Sequence, residues 1–204
     1  LEAQRAGAVI IGEDLGLVEP WVREYLADRG ILGTSVLWFE SDDDGGPLAP
    51  ERYRTDVLAT VNTHDLPPTA GYLAGEHVAL RARLGLLTRS VDDELAEFER
   101  ERERMLAMLR TRGLIDDGAS EQETVAALHA LLAAAPSRLL GVSLVDTVGE
   151  KRVQNQPGTD AEYPNWQVPL ADAAGRVVLL DDLAESARFR SLVDVVERSV
   201  RGAS

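Results

Sequence analysis

The chain has 204 residues and a formal net charge of −14, with 21 basic and 35 acidic side chains. This charge disfavours nucleic acid as a partner, because phosphates are bound by clusters of basic side chains. Cysteine is absent, so disulfides and thiolate metal sites are excluded, which favours a reducing compartment. No apolar stretch approaches the length of a membrane span. We therefore predict a cytoplasmic protein with no membrane partner.

Three short apolar runs in the first part of the chain are typical of buried strands. They cover residues 8–12 (AVIIG), 33–39 (GTSVLWF) and 57–61 (VLATV). Between the first two runs, Glu19 and Pro20 open a predicted helix that Gly30 closes. An acidic, glycine-rich loop follows the second run, and Asn62 to Asp65 follow the third.

Residues 91–136 differ in character and predict a helical insertion. Glutamate and arginine are dense here, and the apolar residues fall at helical spacing: Leu95, Phe98, Met105 and Leu109. Ser120 and Glu123 form a capping box for a second helix, which stops before Pro136.

The last part of the chain predicts one more strand and one more helix. The strand covers residues 139–145, and a long polar loop follows it over residues 149–169. Asp182, with Glu185, is predicted to cap a final helix that runs to Arg198.

Strands that alternate with helices predict an α/β fold with a parallel sheet. Four buried strands are half of the eight in a closed (β/α)8 barrel. A small doubly wound sheet fits the same pattern, and the strand order alone does not choose between the two.

Glu13 and Asp65 each follow a predicted strand, where functional side chains gather in parallel α/β folds. Two carboxylates at such positions suit glycosidic chemistry, in which one acid protonates the leaving oxygen and other carboxylates stabilise a cationic centre. The alternative is that acids at these positions only cap the following helices. His64 lacks a second histidine or cysteine at metal-ligand spacing, so we predict neither a metal nor another cofactor.

Tyr163, Asn165 and Trp166 place two aromatic rings and an amide in the long polar loop. They could offer a stacking surface and a hydrogen-bonding group to a sugar. The alternative is that both rings pack the loop onto the body of the protein.

Five segments, in this order, resemble the 4-α-glucanotransferases, or amylomaltases, of glycoside hydrolase family 77. They are GEDLG (12–16), NTHD (62–65), LVDTVGE (144–150), NQPGT (155–159) and EYPNW (162–166). The resemblance implies that the chain is the C-terminal half of a (β/α)8 barrel. Strands 5–7 would lie in residues 1–90, and the last strand, the active-site loop and the C-terminal helix would lie in residues 137–204.

The resemblance also implies an activity and roles for individual residues. Members of the family transfer α-1,4-glucan segments between maltooligosaccharides by a retaining double displacement. Glu13 would be the general acid/base, and Asp65 would hold sugar hydroxyls and stabilise the transition state. His64, Asn155 and Trp166 would contact the glucan, while Asp14 would be a loop or capping group.

The family nucleophile belongs to an arginine-aspartate motif at the end of the preceding strand, which we expect upstream of Leu1. The isolated chain is then expected to be inactive, and the open half-barrel is expected to self-associate. Trp38 and Gln167 depart from the commoner family pattern and bear on acceptor preference and loop anchoring. Two alternatives stay open: a non-catalytic glucan-binding or structural segment, and another amylase-clan enzyme such as a debranching-type transferase.

Overall fold

A computed structural model of the chain describes residues 2–202, so Leu1 and residues 203–204 of the predicted domains lie outside the described part. Its centre is a parallel sheet with the strand order β1-β2-β3. The strands are β1 (Gly33–Val36), β2 (Val57–Thr60) and β3 (Leu139–Gly141). Gly33 is in register with Val57, and Leu58 is in register with Leu139. The predicted α/β class with a parallel sheet is confirmed.

The strand predicted for residues 8–12 is wrong. Ile11 forms a single parallel bridge with Leu32. Two hydrogen bonds hold it, from Gly12 N to Leu32 O at 2.7 Å and from Leu32 N to Ile10 O at 3.0 Å. Val9 remains 63% exposed. Strands of a parallel sheet are normally buried on both faces, and this run has no such cover within residues 2–202.

The described residues form nine helices. They are α1 (Glu2–Ala6), α2 (Pro20–Ala27), α3 (Thr69–Leu73), α4 (Glu76–Arg83), α5 (Val91–Thr111), α6 (Glu121–Ala133), α7 (Leu144–Val148), α8 (Leu180–Leu183) and α9 (Ala187–Gly202). The predicted helix at Pro20 is confirmed, with the proline in the first turn. No helix between residues 2 and 202 is both long enough and apolar enough to cross a bilayer.

The helices predicted for residues 91–136 form and cover one face of the sheet. Ser120 Oγ accepts from Glu123 N at 3.3 Å and Glu123 Oε2 accepts from Ser120 N at 2.7 Å, which confirms the capping box. The core joins α5 and α6 to residues at and after β1 and β2: Leu37, Ala59, Val61, Met105, Leu109, Leu128, Leu131 and Leu132. Burying each large apolar side chain stabilises the fold by roughly 1.5–3 kcal/mol before entropy is counted.

Three element boundaries differ from the prediction. The strand predicted for residues 33–39 is shorter: β1 ends at Val36, and Leu37–Phe39 form a 3-10 turn. The strand predicted for residues 139–145 ends at Gly141, because α7 begins at Leu144. Asp182 does not cap the final helix; it lies within α8, and Ser186 Oγ accepts from Phe189 N at 3.3 Å at the start of α9.

Candidate active site

Asp14 fastens the segment that carries Glu13 to the edge of the sheet. Its buried carboxylate accepts from Thr34 N at 2.8 Å and lies 2.5 Å from the Arg54 guanidinium. Burial opposes ionisation, but the hydrogen bonds from Arg54 and Thr34 and the positive charge of Arg54 hold the pKa of Asp14 below its ordinary value. Asp14 is therefore a loop-anchoring group, as the sequence indicated.

The backbone on both sides of Glu13 is fixed, and its side chain is exposed. Gly12 O accepts from the hydroxyl of Thr34 at 3.1 Å, and Asp14 binds the amide of the same residue. Glu13 therefore sits beside the start of β1 with a carboxylate open to solvent.

Asp65 and His64 lie in the loop that follows β2. Both side chains are partly exposed, and His64 Nε2 lies 3.4 Å from Asp65 Oδ1. Within the loop, Asp65 N donates to Thr63 Oγ1 at 3.2 Å and Leu66 N donates to Thr63 O at 3.2 Å. These bonds turn the chain sharply, so both side chains project from the C-terminal end of β2.

Asn155 connects this loop to the long polar loop after α7. Its side-chain amide donates to Asp65 Oδ1 at 2.6 Å, and its backbone N–H donates to His64 O at 3.2 Å. The carboxylate, the imidazole and the amide therefore form one cluster of hydrogen-bonding groups.

Trp166 adds an exposed aromatic ring to the cluster. Its ring centroid lies 5.1 Å from that of His64, and the residue is 64% exposed. Its φ of 62° lies in the left-handed region, which costs a non-glycine residue roughly 1–2 kcal/mol. A strained, exposed tryptophan is more typical of a binding surface than of loop packing.

The other members of the EYPNW segment fold the loop onto itself. Tyr163 Oη donates to Val153 O at 2.7 Å, and Asn165 Oδ1 accepts from Gln156 N at 2.7 Å. Loop packing, the alternative for both rings, therefore fits Tyr163, whereas the Trp166 ring is 64% exposed and contacts His64.

Four of the five predicted site residues meet: His64, Asp65, Asn155 and Trp166. Glu13 is not joined to them by a hydrogen bond or an ion pair among residues 2–202. No group of three or more acidic or histidine side chains in the described part has a metal-binding arrangement.

The sequence predicts no role for two buried carboxylates that bind the ends of the loops carrying this cluster. Asp146 and Glu150 belong to the LVDTVGE segment and are almost fully buried. The hydrogen bonds that these buried carboxylates accept have no signature in the order of residues. The segment itself was recognisable, but the roles of its two acids were not.

A family model described as 4-alpha-glucanotransferase matches residues 1–174. The chain belongs to the 4-α-glucanotransferase family, glycoside hydrolase family 77. The resemblance stated from the five sequence segments is thereby confirmed. The 4-alpha-glucanotransferases of Mycobacterium tuberculosis and Mycobacterium bovis are 55% identical to it over 96% of this chain. The enzyme of the same name from Haemophilus influenzae is 29% identical over 84% of this chain.

Two amylomaltase structures resemble this member of the 4-α-glucanotransferase family. The crystal structure of amylomaltase from Corynebacterium glutamicum aligns with a TM-score of 0.89 and 47% identity, over 96% of this chain and 29% of that one. Amylomaltase from Streptococcus agalactiae in complex with acarbose aligns with a TM-score of 0.64 at 18% identity, which supports the fold alone. The chain spans 28% of the length of its mycobacterial relatives.

Proposed function

We propose that this chain supplies the acid/base and sugar-binding part of an enzyme that transfers α-1,4-glucan segments between maltooligosaccharides by a retaining double displacement. The observation that carries the proposal is the 2.6 Å bond between Asn155 and Asp65, which unites two of the family segments at the end of β2. Membership of the 4-α-glucanotransferase family supports the substrate class.

The cluster has the chemistry to hold one sugar ring. Asp65 offers carboxylate oxygens to neighbouring hydroxyls, and His64 and Asn155 stand beside it as further hydrogen-bonding groups. Asp65 would bind the distorted ring more tightly than the relaxed ring, and so stabilise the transition state. Trp166 would stack against an adjacent glucose unit with its exposed ring.

Glu13 would act as the general acid and base. It would protonate the glycosidic oxygen of the departing glucan and then deprotonate the incoming hydroxyl group. Its exposed carboxylate on a fixed backbone suits this role, because the proton must pass to a substrate atom outside the fold.

We further propose that the chain is the C-terminal half of a (β/α)8 barrel, with barrel segments in residues 1–90 and 137–204 and the insertion in residues 91–136. The parallel order of β1, β2 and β3, together with the single parallel bridge between Ile11 and Leu32 beside β1, supports this proposal.

The nucleophile is the part of the reaction that we assign to no residue of this chain. An arginine-threonine-aspartate sequence does occur at residues 54–56, but it precedes β2, and Arg54 is engaged by Asp14. It is thus at the opposite end of the strand from Asp65. Without a nucleophile the glycosyl-enzyme cannot form, so we expect the 204 residues alone to be inactive.

The proposal is tested with the full-length protein and maltotriose. Transfer yields glucose together with longer maltooligosaccharides, whereas glucose and maltose without longer products would identify a hydrolase instead. Glu13→Gln should lower kcat by about 10²–10⁴-fold, because the shape is kept and the transferable proton is lost. Glu19→Gln, an exposed glutamate before α2, is the control; near-normal turnover of Glu13→Gln would remove Glu13 from the mechanism.

A second candidate function is a glucan-binding segment without catalysis of its own. The observation that favours it is that His64, Asp65, Asn155 and Trp166 meet without Glu13. Calorimetric titration of the 204-residue chain with maltoheptaose separates the candidates: saturable heat at millimolar sugar supports a formed binding site, and a flat trace supports a structural role.

A further inference from the structure

The two loops that carry the sugar-side residues both return to one short segment, residues 144–150. This segment contains α7 and the glutamate that follows it, and its two carboxylates are among the most buried polar groups of the protein. Neither Asp146 nor Glu150 has a part in the mechanism proposed above.

Asp146 binds both ends of the loop that contains His64 and Asp65. At the start of the loop, Asn62 Nδ2 donates to the two carboxylate oxygens at 3.1 and 3.0 Å. At its end, Thr69 N donates to Oδ1 at 2.8 Å and Thr69 Oγ1 donates to Oδ2 at 2.7 Å. Asn62 Nδ2 also lies 3.0 Å from Thr69 Oγ1, so the two ends touch each other. One carboxylate therefore closes residues 63–68 into a loop of fixed span.

Glu150 does the same for the loop of residues 151–170, which contains Asn155 and Trp166. Its Oε1 accepts from Lys151 N and from Arg152 N and Nε, each at 2.9 Å. Its Oε2 accepts from Ala171 N at 3.1 Å, at the far end of the loop. Arg152 strengthens the closure, because its Nη2 binds Glu150 at 2.6 Å and Pro169 O at 2.9 Å.

The charges of the two carboxylates are compensated in different ways. Burial raises the pKa of Asp146, while His129, with Nε2 3.6 Å away, and the bonds from Thr69 and Asn62 oppose the rise. Burial also opposes ionisation of Glu150, but the hydrogen bonds and charge of Arg152 hold its pKa below the ordinary value. Each carboxylate is surrounded by donors, as a buried acceptor requires.

We propose that Asp146 and Glu150 are positioning residues, which together set the distance between the His64–Asp65 loop and the Asn155–Trp166 loop. The two loops meet at the hydrogen bond between Asn155 and Asp65. A displacement of either loop would therefore also move the carboxylate of Asp65. This inference rests on the proposed function for its effect on turnover, but the closure of the loops is a property of the fold.

The test uses Asp146→Asn and Glu150→Gln in the full-length protein, with maltotriose as substrate. Each variant keeps the size of the side chain and replaces one acceptor oxygen by an amide that cannot accept. We expect kcat to fall about 10- to 100-fold with KM changed less than about threefold, because small displacements from the reactive geometry cost that much. The controls are Asp56→Asn at the start of β2 and Glu103→Gln on α5, two exposed acids whose exchange should leave both constants unchanged.

Hydrogen exchange followed by mass spectrometry provides the readout that does not depend on activity. Asp146→Asn should speed exchange several-fold in residues 63–68, and Glu150→Gln should do so in residues 151–170, with α5 unaffected in both. If the wild type shows no transferase activity but the two variants still show these local increases in exchange, the proposed function is refuted and the positioning role of Asp146 and Glu150 is kept. Folded variants with unaltered exchange and wild-type kcat would overturn the positioning role.

A conservative pair covers the case in which Asp146→Asn does not fold. Thr69→Ser keeps the hydroxyl that binds Asp146, and Thr69→Val keeps the shape without it. Loss of kcat in Thr69→Val with recovery in Thr69→Ser supports the proposal, whereas equal kcat values in the two variants contradict it.

Discussion

Asn155 and Asp65, ninety residues apart in the chain, are joined by a hydrogen bond of 2.6 Å between the side-chain amide and Oδ1. The bond leaves the second oxygen of Asp65 free of any partner that the described residues provide. In the proposed function, this second oxygen is the one that a sugar hydroxyl would reach.

Replacement of Asn155 by alanine should lower kcat/KM for maltotriose about 10- to 100-fold in the full-length protein. The reason is the loss of a hydrogen bond to a charged group, which is worth about 1.5–3 kcal/mol. Steady-state kinetics is the measurement, and Gln122→Ala, an exposed amide on α6 outside the two loops, is the control. A decrease of less than twofold would show that Asp65 is oriented without Asn155.

Trp166 offers a test that separates binding from stability. Trp166→Gly removes the ring and also the strain of the left-handed backbone, so we expect the free energy of unfolding to change by less than about 1 kcal/mol. The KM for maltoheptaose should rise, because the stacking surface is lost. Trp166→Ala keeps the strain and should be the less stable of the two. If Trp166→Gly unfolds several degrees below the wild type, the ring packs the loop instead of binding sugar.

Asp14 should make the stability of the chain depend on pH in the acidic range. Its pKa is lowered from 3.8 in the folded state, so its contribution is fully present above that value and is lost as the pH falls through the folded-state pKa. Asp14→Asn should therefore be less stable than the wild type at pH 7, and the difference should shrink below pH 3.8. Urea unfolding at a series of pH values measures this. A difference that stays constant down to the lowest pH would mean that Asp14 acts without its charge.

Gly71 is required by the close approach of α3 to the loop after α7. A Cβ atom at this position would lie 2.3 Å from Lys151 O. Gly71→Ala should destabilise the fold by about 1–3 kcal/mol, because the backbone of the loop must move away. Gly202→Ala, where a Cβ meets no atom within 4 Å, is the matched control for the change in helix propensity. Equal unfolding midpoints for the two variants would contradict the argument.

The isolated 204-residue chain should self-associate. In the described residues β3 pairs with β2 and leaves its other edge open, and large apolar side chains near the sheet are exposed, among them Val9, Ile10 and Val142. Sedimentation velocity at several concentrations is the measurement. A well-folded monomer throughout that range would refute the expectation.

The sequence predicted those features whose cause is local. The capping box of Ser120 and Glu123 and the proline at the start of α2 are set by neighbouring residues, and both are confirmed. The β-forming composition of the AVIIG run at residues 8–12 predicts a strand, and only the single bridge at Ile11 forms. Whether such a run pairs along its length depends on cover from other parts of the chain, which composition does not contain.

The same distinction holds for the candidate site. His64, Asp65, Asn155 and Trp166 were identified by resemblance, and the structure brings them together. The convergence of Glu13 with Asp65 stays a prediction. The positions of Asp146 and Glu150 could not be predicted, because a buried acid and an exposed acid look alike in a sequence and only the donors around them in the fold distinguish them.

Because Glu150 binds both ends of the loop of residues 151–170, the number of residues in the loop does not determine where the loop is attached. Both ends are bound to one carboxylate, so residues inserted at the exposed tip near Pro157 and Gly158 would leave the attachment points unmoved. The entropic penalty is small, since doubling a flexible loop costs about 0.6 kcal/mol. A longer or shorter tip would therefore change how far the loop extends from the protein while the parallel sheet and the ends of the loop keep their positions.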